Sequence, residues 1–222
     1  MNKIKYIAAA LIAIAGLGLQ QAKADTISFD LTVSNFGFTG PYAHVVVNRT
    51  STTTATITFT SLTNGSNIYL MGDGSTVALN VNATTFTAGT VTGTNAGTGF
   101  TPGPFTTNIA AGQQIDGFGK VNFTIDSMDG YTHTSDTVSF TLTNGSGTWA
   151  TASNVLIANA NGTFAASHIF VTTSPANASN SALITGFAAN GGAVNTPDGG
   201  TTVMLLGAAL GALGMARRFL MS

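Results

Sequence analysis

The middle of the chain alternates between apolar and polar residues with a period of two. Residues 27–33 show the pattern first, with apolar side chains at the odd positions. Four further runs repeat it, at 55–59, 77–81, 121–125 and 138–142. Threonine, whose branched Cβ suits an extended backbone, fills many of the polar positions. Alternation of this kind predicts β-strands with one buried and one exposed face.

Turn signals separate these runs. Asn-Gly and Asp-Gly pairs, which supply the positive φ values of tight turns, occur at 64–65, 73–74, 129–130, 144–145 and 161–162. Two denser apolar runs, 44–47 and 168–171, indicate central strands buried on both faces. Many short strands with closely spaced turns predict an all-β fold, a single antiparallel β-sandwich of jelly-roll type over residues 25–186.

Three segments depart from the alternation. Trp149, Ala152 and Val155 have near-helical spacing, so residues 148–159 predict one short helix. Residues 88–112 are rich in Gly, Asn, Thr and Ala and predict a long loop. Residues 175–196 have a similar composition and predict a strand followed by a stalk, with a linker at 187–196.

The N-terminus has the layout of a secretory signal peptide over residues 1–24. Lys3 and Lys5 precede an apolar run at 6–19, which predicts a signal helix. Ala22 and Ala24 form an A-x-A site, so cleavage is expected between Ala24 and Asp25. The apolar run is shorter than the ~20 residues that a membrane-spanning helix needs.

The C-terminus, residues 197–222, predicts a membrane segment bounded by a short motif and two arginines. Residues 201–216 carry no charge and would form a transmembrane helix. That helix would rise about 24 Å, somewhat less than the ~30 Å hydrocarbon layer. A helix docked on the body is less favoured, because 203–215 is apolar on every face. The residues that bound the segment are Pro197, Asp198, Gly199, Gly200, Arg217 and Arg218.

This order of motif, apolar helix and basic cluster resembles the PEP-CTERM class of sorting signals, in the variant with a VPDGG motif. The chain has Thr196 where that variant has Val. The resemblance implies recognition by exosortase, a membrane-embedded cysteine transpeptidase-like enzyme, and removal of the tail near 197–200. It also implies a bacterium of Gram-negative type that makes exopolysaccharide. The body resembles those often found on such exported proteins, which look like β-sandwiches and lend no activity.

Composition and charge exclude several classes of protein. Charged residues make up 7% of the chain, against ~25% in typical soluble domains, and there is no cysteine for disulfides or thiolate metal sites. Between Asp25 and Thr196 two cations, Arg49 and Lys120, face seven aspartates, a net charge of −5. A nucleic-acid binder needs clustered Lys and Arg, so no nucleic-acid partner is expected.

The candidates for catalysis and metal binding are few. The chain has three histidines without metal-ligand spacing, His44, His133 and His168, and it has no glutamate and no G-x-S-x-G elbow. Asp126 and Asp129, joined by Asp116 or Asp136, could offer oxygens to calcium. Their spacing is not that of an EF-hand, so a turn role is favoured. The sequence therefore predicts no enzyme, no cofactor and no metal site.

Aromatic residues keep a carbohydrate-binding, lectin-like module open as the alternative function. Sugar-binding β-proteins stack aromatic rings on pyranose faces, and the candidates are Phe36, Phe38, Tyr42, Phe100, Phe105 and Trp149. The competing interpretation is that these rings belong to the core, and Trp149, among alanines, is expected to be buried.

The two chain ends predict where the protein works. Signal peptidase and exosortase would process a chain that is transiently anchored in the inner membrane and then reaches the cell surface or the extracellular space. A structural or adhesive role is favoured there, with exopolysaccharide as a candidate partner. The chain has seven N-x-[ST] sequons, most of which arise by chance in a sequence so rich in Asn, Thr and Ser, and glycosylation of Ser or Thr is a secondary hypothesis.

Overall fold

The computed structural model describes residues 24–190 and the backbone of 194–195. It confirms the prediction of an all-β, antiparallel fold. The predicted signal helix and the transmembrane helix 201–216 lie outside the described residues. The strands are β1 Asp25–Ser34, β2 Ala43–Arg49, β3 Thr54–Ser61, β4 Thr63–Asn64, β5 Asn67–Met71, β6 Asp73–Leu79, β7 Phe86–Ala88, β8 Thr92–Thr94, β9 Thr106–Ile115, β10 Gly119–Ser127, β11 Thr137–Asn144, β12 Ala165–Thr173, β13 Ile184–Asn190 and β14 Val194–Asn195.

One sheet contains all of these strands. Its main path runs β7-β11-β3-β2-β1-β13-β12-β6-β10-β9, with β4, β5, β8 and β14 paired beside it. The sheet curls until its ends face each other, so that Phe123 on β10 lies 5.9 Å from Phe86 on β7 and 5.5 Å from Phe140 on β11, between ring centroids. The hydrogen bonds thus form one nearly closed sheet and do not separate into the two sheets of the predicted sandwich.

The last long strand, β13, joins the two halves of the sheet. It pairs with β1 from Leu31↔Asn190 to Ser34↔Ala188 and with β12 from Ala166↔Ala189 to Val171↔Ile184. The body therefore extends to Asn190, beyond the predicted limit at residue 186. Val194–Asn195 also pairs with β1, inside the predicted linker 187–196. A strand was predicted within residues 175–196, and the structure places it at Ile184–Asn190.

The predicted alternation holds along the strands that frame the core. On β1, Ile27, Phe29 and Leu31 are buried, and the residues between them are partly exposed. The run 44–47 was predicted to be buried on both faces, which is wrong, because β2 alternates strictly. The run 168–171 lies in β12, which is buried along both faces. Two small clusters cover its outer side, one around Ala166 and one around Phe170.

Two segments differ from their sequence-based predictions. The short helix expected at 148–159 is reduced to a 3₁₀ turn, Ala152–Asn154, with a capping box between Thr151 and Asn154. The flanking main chain bonds to other parts of the fold instead, as in the Trp149 N–H to Thr52 carbonyl bond of 2.7 Å. The loop expected at 88–112 contains β8 and most of β9, because pairing with β11 and β10 overrides its weak strand propensity.

The turn signals are used in different ways. Gly65 has φ 61° in the tight β4–β5 hairpin, as an Asn-Gly pair predicts. At 73–74 the chain forms no hairpin. Asp73 and Ser75 adopt φ values of 60° and 58° at the start of β6, where the register with β10 shifts. Such values are uncommon for residues with a side chain, and a hydrogen bond described below stabilises them.

Candidate functional site

The predicted signal cleavage site, between Ala24 and Asp25, lies at the first residue of the sheet. Ala24 is exposed, and β1 begins at Asp25. The Asp25 carboxylate accepts a hydrogen bond from Nε of Arg49 at 2.5 Å and another from the main-chain N–H of Ala152 at 2.6 Å. The residue that would become the mature N-terminus is therefore held by two neighbouring elements, and the predicted cleavage site directly precedes it.

The predicted C-terminal processing point follows β14, which pairs with β1. Asn195 pairs with Ile27, and the sorting motif begins two residues later at Pro197. Strands β1 and β14 are antiparallel, so the chain enters and leaves the sheet at the same end of β1. Ala22 and the sorting residues Pro197, Asp198, Gly199, Gly200, Arg217 and Arg218 lie outside the described residues. Within the described part of the chain, no helix has the length and apolar character needed to cross a membrane.

The structure separates the three histidines. His44 on β2 pairs with Asp30 on β1, Nδ1 to Oδ1 at 2.6 Å, on the outer face of the sheet. Nδ1 of His133 is hydrogen-bonded to the carbonyl of Gly103 in a loop. The His168 ring stacks on Phe187 with 4.6 Å between centroids. Burial lowers the pKa of His168, and the nearby Asp73 carboxylate offsets part of that effect. Each histidine thus has a separate local role.

Three of the four aspartates considered for calcium, all except Asp129, accept hydrogen bonds from main-chain or side-chain donors. Asp126 accepts the N–H of Ser75 at 2.7 Å, which stabilises the positive-φ turn at the start of β6. Asp136 accepts the N–H of Ala96 at 2.6 Å, and Asp116 accepts the amide of Asn35 at 3.3 Å. Among the described residues, no three ligating side chains form a group that could hold a metal ion.

The aromatic residues proposed as a sugar platform belong to the core. Trp149 is 1% exposed, and its Nε1–H donates to the carbonyl of Asn82 at 2.8 Å. Tyr42 is 3% exposed and packs edge-on against Phe36 and Tyr69. The remaining candidates, Phe38, Phe100 and Phe105, are partly buried against core clusters. The stacking surface that would favour a lectin is therefore not assembled from these residues.

Asparagine side chains replace missing main-chain pairing, a role that the sequence analysis did not identify. The Asn122 amide accepts the N–H of Val81 at 2.7 Å and donates to its carbonyl at 2.8 Å, as a paired peptide group would. Asn159 donates to the carbonyls of Phe118 and Lys120 and also accepts main-chain N–H groups. The sequence shows the abundance of Asn, but it carries no signal that separates these residues from solvent-facing ones.

Four asparagines, Asn122 among them, line an open groove of about 430 Å³. Asn80 and Asn82 donate to the carbonyls of Ile157 and Asn154, which fixes the orientation of both amides. No lining residue is charged. Such a groove presents fixed, neutral hydrogen-bonding groups to solvent and suits an uncharged ligand with many hydroxyl groups. Its lining is completed by Val81, Ala83, Thr84, Asn122, Asn144, Ser146, Gly147 and Thr148.

Comparison with known proteins identifies the tail. Residues 197–219 match the family model of the VPDSG-CTERM motif. The chain has Thr196 and Gly199 where the name of that motif has Val and Ser. The match supports a C-terminal sorting tail, and with it an exported protein that associates with a membrane and is processed through that tail by a sorting enzyme. No curated protein and no solved structure matches the chain.

Proposed function

We propose that this chain is a structural or adhesive protein of the bacterial envelope or its exopolysaccharide matrix, released from the inner membrane by exosortase. The observation that carries the proposal is the sorting tail at 197–219. The tail is joined to a body whose first strand begins at the predicted signal cleavage site, Asp25. Cleavage at both ends would leave the described sheet intact, since the motif follows the last described strand.

A scaffold role is supported by the way in which the body is held together. Main-chain ladders link its strands into one sheet, and amide side chains such as Asn122 and Asn159 extend that pairing where the ladders stop. Threonine side chains on the outer faces hydrogen-bond to water without adding charge. A neutral, extensively hydrogen-bonded body of this kind suits a hydrated polysaccharide environment.

The mass of the surface form tests the sorting proposal. The protein recovered outside the inner membrane is expected to begin at Asp25 and to lack residues beyond about Gly200. Replacing Arg217 and Arg218 with glutamine should weaken retention of the tail in the inner membrane and reduce its removal, because the charges that keep its end on the cytoplasmic side are lost. A Thr202→Ser variant serves as the control and should be processed normally. Full-length wild-type protein outside the inner membrane would contradict the proposal. A mass excess over the mature chain would reveal glycosylation of Ser or Thr.

Carbohydrate binding is the second candidate, and the asparagine-lined groove is the observation that favours it. Pyranose hydroxyls both donate and accept hydrogen bonds, as amide side chains do. Since Trp149 and Tyr42 are buried and the other aromatic candidates are partly buried against the core, recognition would depend on Asn80, Asn82 and their neighbours without ring stacking. The ligand class is then a neutral polysaccharide, because the lining carries no charge.

Two glycine substitutions test whether the groove binds carbohydrate, which distinguishes a carbohydrate-binding function from a purely structural one. Gly147 lines the groove, and a Cβ added there meets nothing within 4 Å, so Gly147→Phe should fill the groove without disturbing the fold. Gly37 is equally unobstructed and lies elsewhere, so Gly37→Phe is the matched control. A polysaccharide pull-down that captures the wild type and the control but not Gly147→Phe would support groove binding. If the wild type is not captured, carbohydrate binding is excluded for the polysaccharides tested.

A further inference from the structure

The strand at one end of the sheet is long, and its outer edge is not paired with another described strand. β9, Thr106–Ile115, has ten residues and pairs with β10 alone among the described strands. Residues 106–112 are exposed on both faces of the strand, including Ile109, which is 45% exposed. An edge strand of this kind presents unpaired main-chain N–H and C=O groups, which are the groups that another strand would bind.

The first half of β9 lacks the features that usually protect an edge. Residues 106–110 contain no charge and no proline. The second half is protected, since Gly112 has φ 89° where the register with β10 shifts, and Lys120 lies opposite Gln114. The strands at the other end of the path, β7 and β8, have three residues each, which limits pairing there. The open edge is therefore concentrated at 106–110.

We propose that this edge pairs with β9 of a second copy of the chain, antiparallel and about a twofold axis near Asn108. A twofold pair places identical residues close to their own copies, which is unfavourable wherever a strand is charged. β9 carries no charged residue, so its own copy is an allowed partner. The body as a whole carries a net charge of only −5, so long-range repulsion between copies is weak.

The side chains of the edge fit the same arrangement. Ile109 lies opposite Phe123 and Thr107 opposite Ile125, so both share the core-facing side of the sheet. With the axis near Asn108, Ile109 of each copy would lie opposite Thr107 of the other, and the two Ile109 side chains would contact diagonally and remove exposed apolar area from water. On the other face, Thr106 would form a hydrogen bond across the new pair. The Asn108 amide and carbonyl, which bond to the Gln113 side chain in the single copy, would exchange that partner for the second copy. The two bodies would then share one continuous sheet, a form of assembly that goes beyond the proposed sorting and surface role.

The absence of cysteine from the chain permits a direct test. Single cysteines are placed at 106, 107, 108, 109 and 110 of the full chain in the producing cells, and a mild oxidant is added. A disulfide needs Cβ atoms about 3.5–4.5 Å apart, which antiparallel neighbours reach close to a twofold axis. We expect a covalent homodimer that is strongest at one of these positions and falls off on both sides.

Two controls make the result decisive. Thr143→Cys, exposed on β11, should form no dimer. Ile109→Lys, added to the best cysteine variant, should abolish the dimer because it would place two ammonium groups close to the axis, while Trp149 emission remains native. Equal dimer at Thr143→Cys, no dimer at any β9 position, or cross-linking to a different protein would each overturn the proposal. None of these outcomes depends on tail processing, so the sorting proposal is tested separately by mass.

Discussion

The guanidinium of Arg49 and the carboxylate of Asp25 form an ion pair at the start of the sheet, with 2.5 Å between Nε and Oδ1. The Arg49 side chain is 7% exposed and the Asp25 side chain 30%. The second carboxylate oxygen binds the N–H of Ala152, so the pair also fixes the 3₁₀ turn. Asp25 directly follows the predicted signal cleavage site, which links the processing point to the stability of the body.

Asp25→Asn is expected to lower the free energy of unfolding by about 1–3 kcal/mol. The change removes an anion beside a buried guanidinium, although partial exposure of Asp25 reduces the cost below that of a fully buried pair. Asp30→Asn is the matched control, because Asp30 pairs with His44 across the same two strands with both side chains near 40% exposed. It should cost less than about 1 kcal/mol. Urea unfolding followed by Trp149 fluorescence measures both variants, and equal effects would contradict this account.

Trp149→Phe is expected to destabilise the protein by about 1–3 kcal/mol. The substitution leaves the carbonyl of Asn82 without its indole donor and removes part of a fully packed ring. Thermal unfolding followed by circular dichroism measures the loss. An unchanged melting temperature would show that the ring does not have the structural role assigned to it here.

Asn122→Asp is expected to cost about 1–3 kcal/mol, because a carboxylate can accept the N–H of Val81 but cannot donate to its carbonyl. Asn180→Asp, at an exposed position, is the control and should change stability by no more than about 0.5 kcal/mol. Chemical denaturation of the two variants gives the comparison. If the two costs are equal, the Asn122 amide is not acting as a replacement peptide group.

Stability is expected to fall as the pH drops below about 6.5, through His168. Burial lowers the pKa of His168 in the folded state, so the unfolded chain takes up a proton first, and acid favours unfolding. The loss begins near the unfolded pKa and stops below the folded one, with a slope of at most about 1.4 kcal/mol per pH unit. His168→Gln should remove this component. Unfolding free energies at about pH 7.5 and about pH 5.5 test it, and the same slope in both proteins would assign the effect to other groups.

Local pattern was enough to predict most strands and the C-terminal sorting tail. Successive side chains in a strand point to opposite faces of the sheet, so β1, β3, β10 and β11 could be located from the alternation of apolar and polar residues alone. Strand β9 was missed because its residues 106–112 are exposed on both faces and therefore do not alternate. The asparagine groove was missed for a related reason, since sequence alone does not distinguish an amide that replaces a peptide group from one that faces water.

The sequence by itself determined that the chain is an all-β body between a predicted signal peptide and a sorting tail, because each of those features depends on a short stretch of consecutive residues. The tertiary structure alone decided that β13 joins β1 to β12, that Asn122 completes the pairing of Val81, and that β9 is left as an open edge. Each of these depends on which distant strands become neighbours. Main-chain hydrogen bonding is the same for every sequence, so strand choice depends on how the whole core packs.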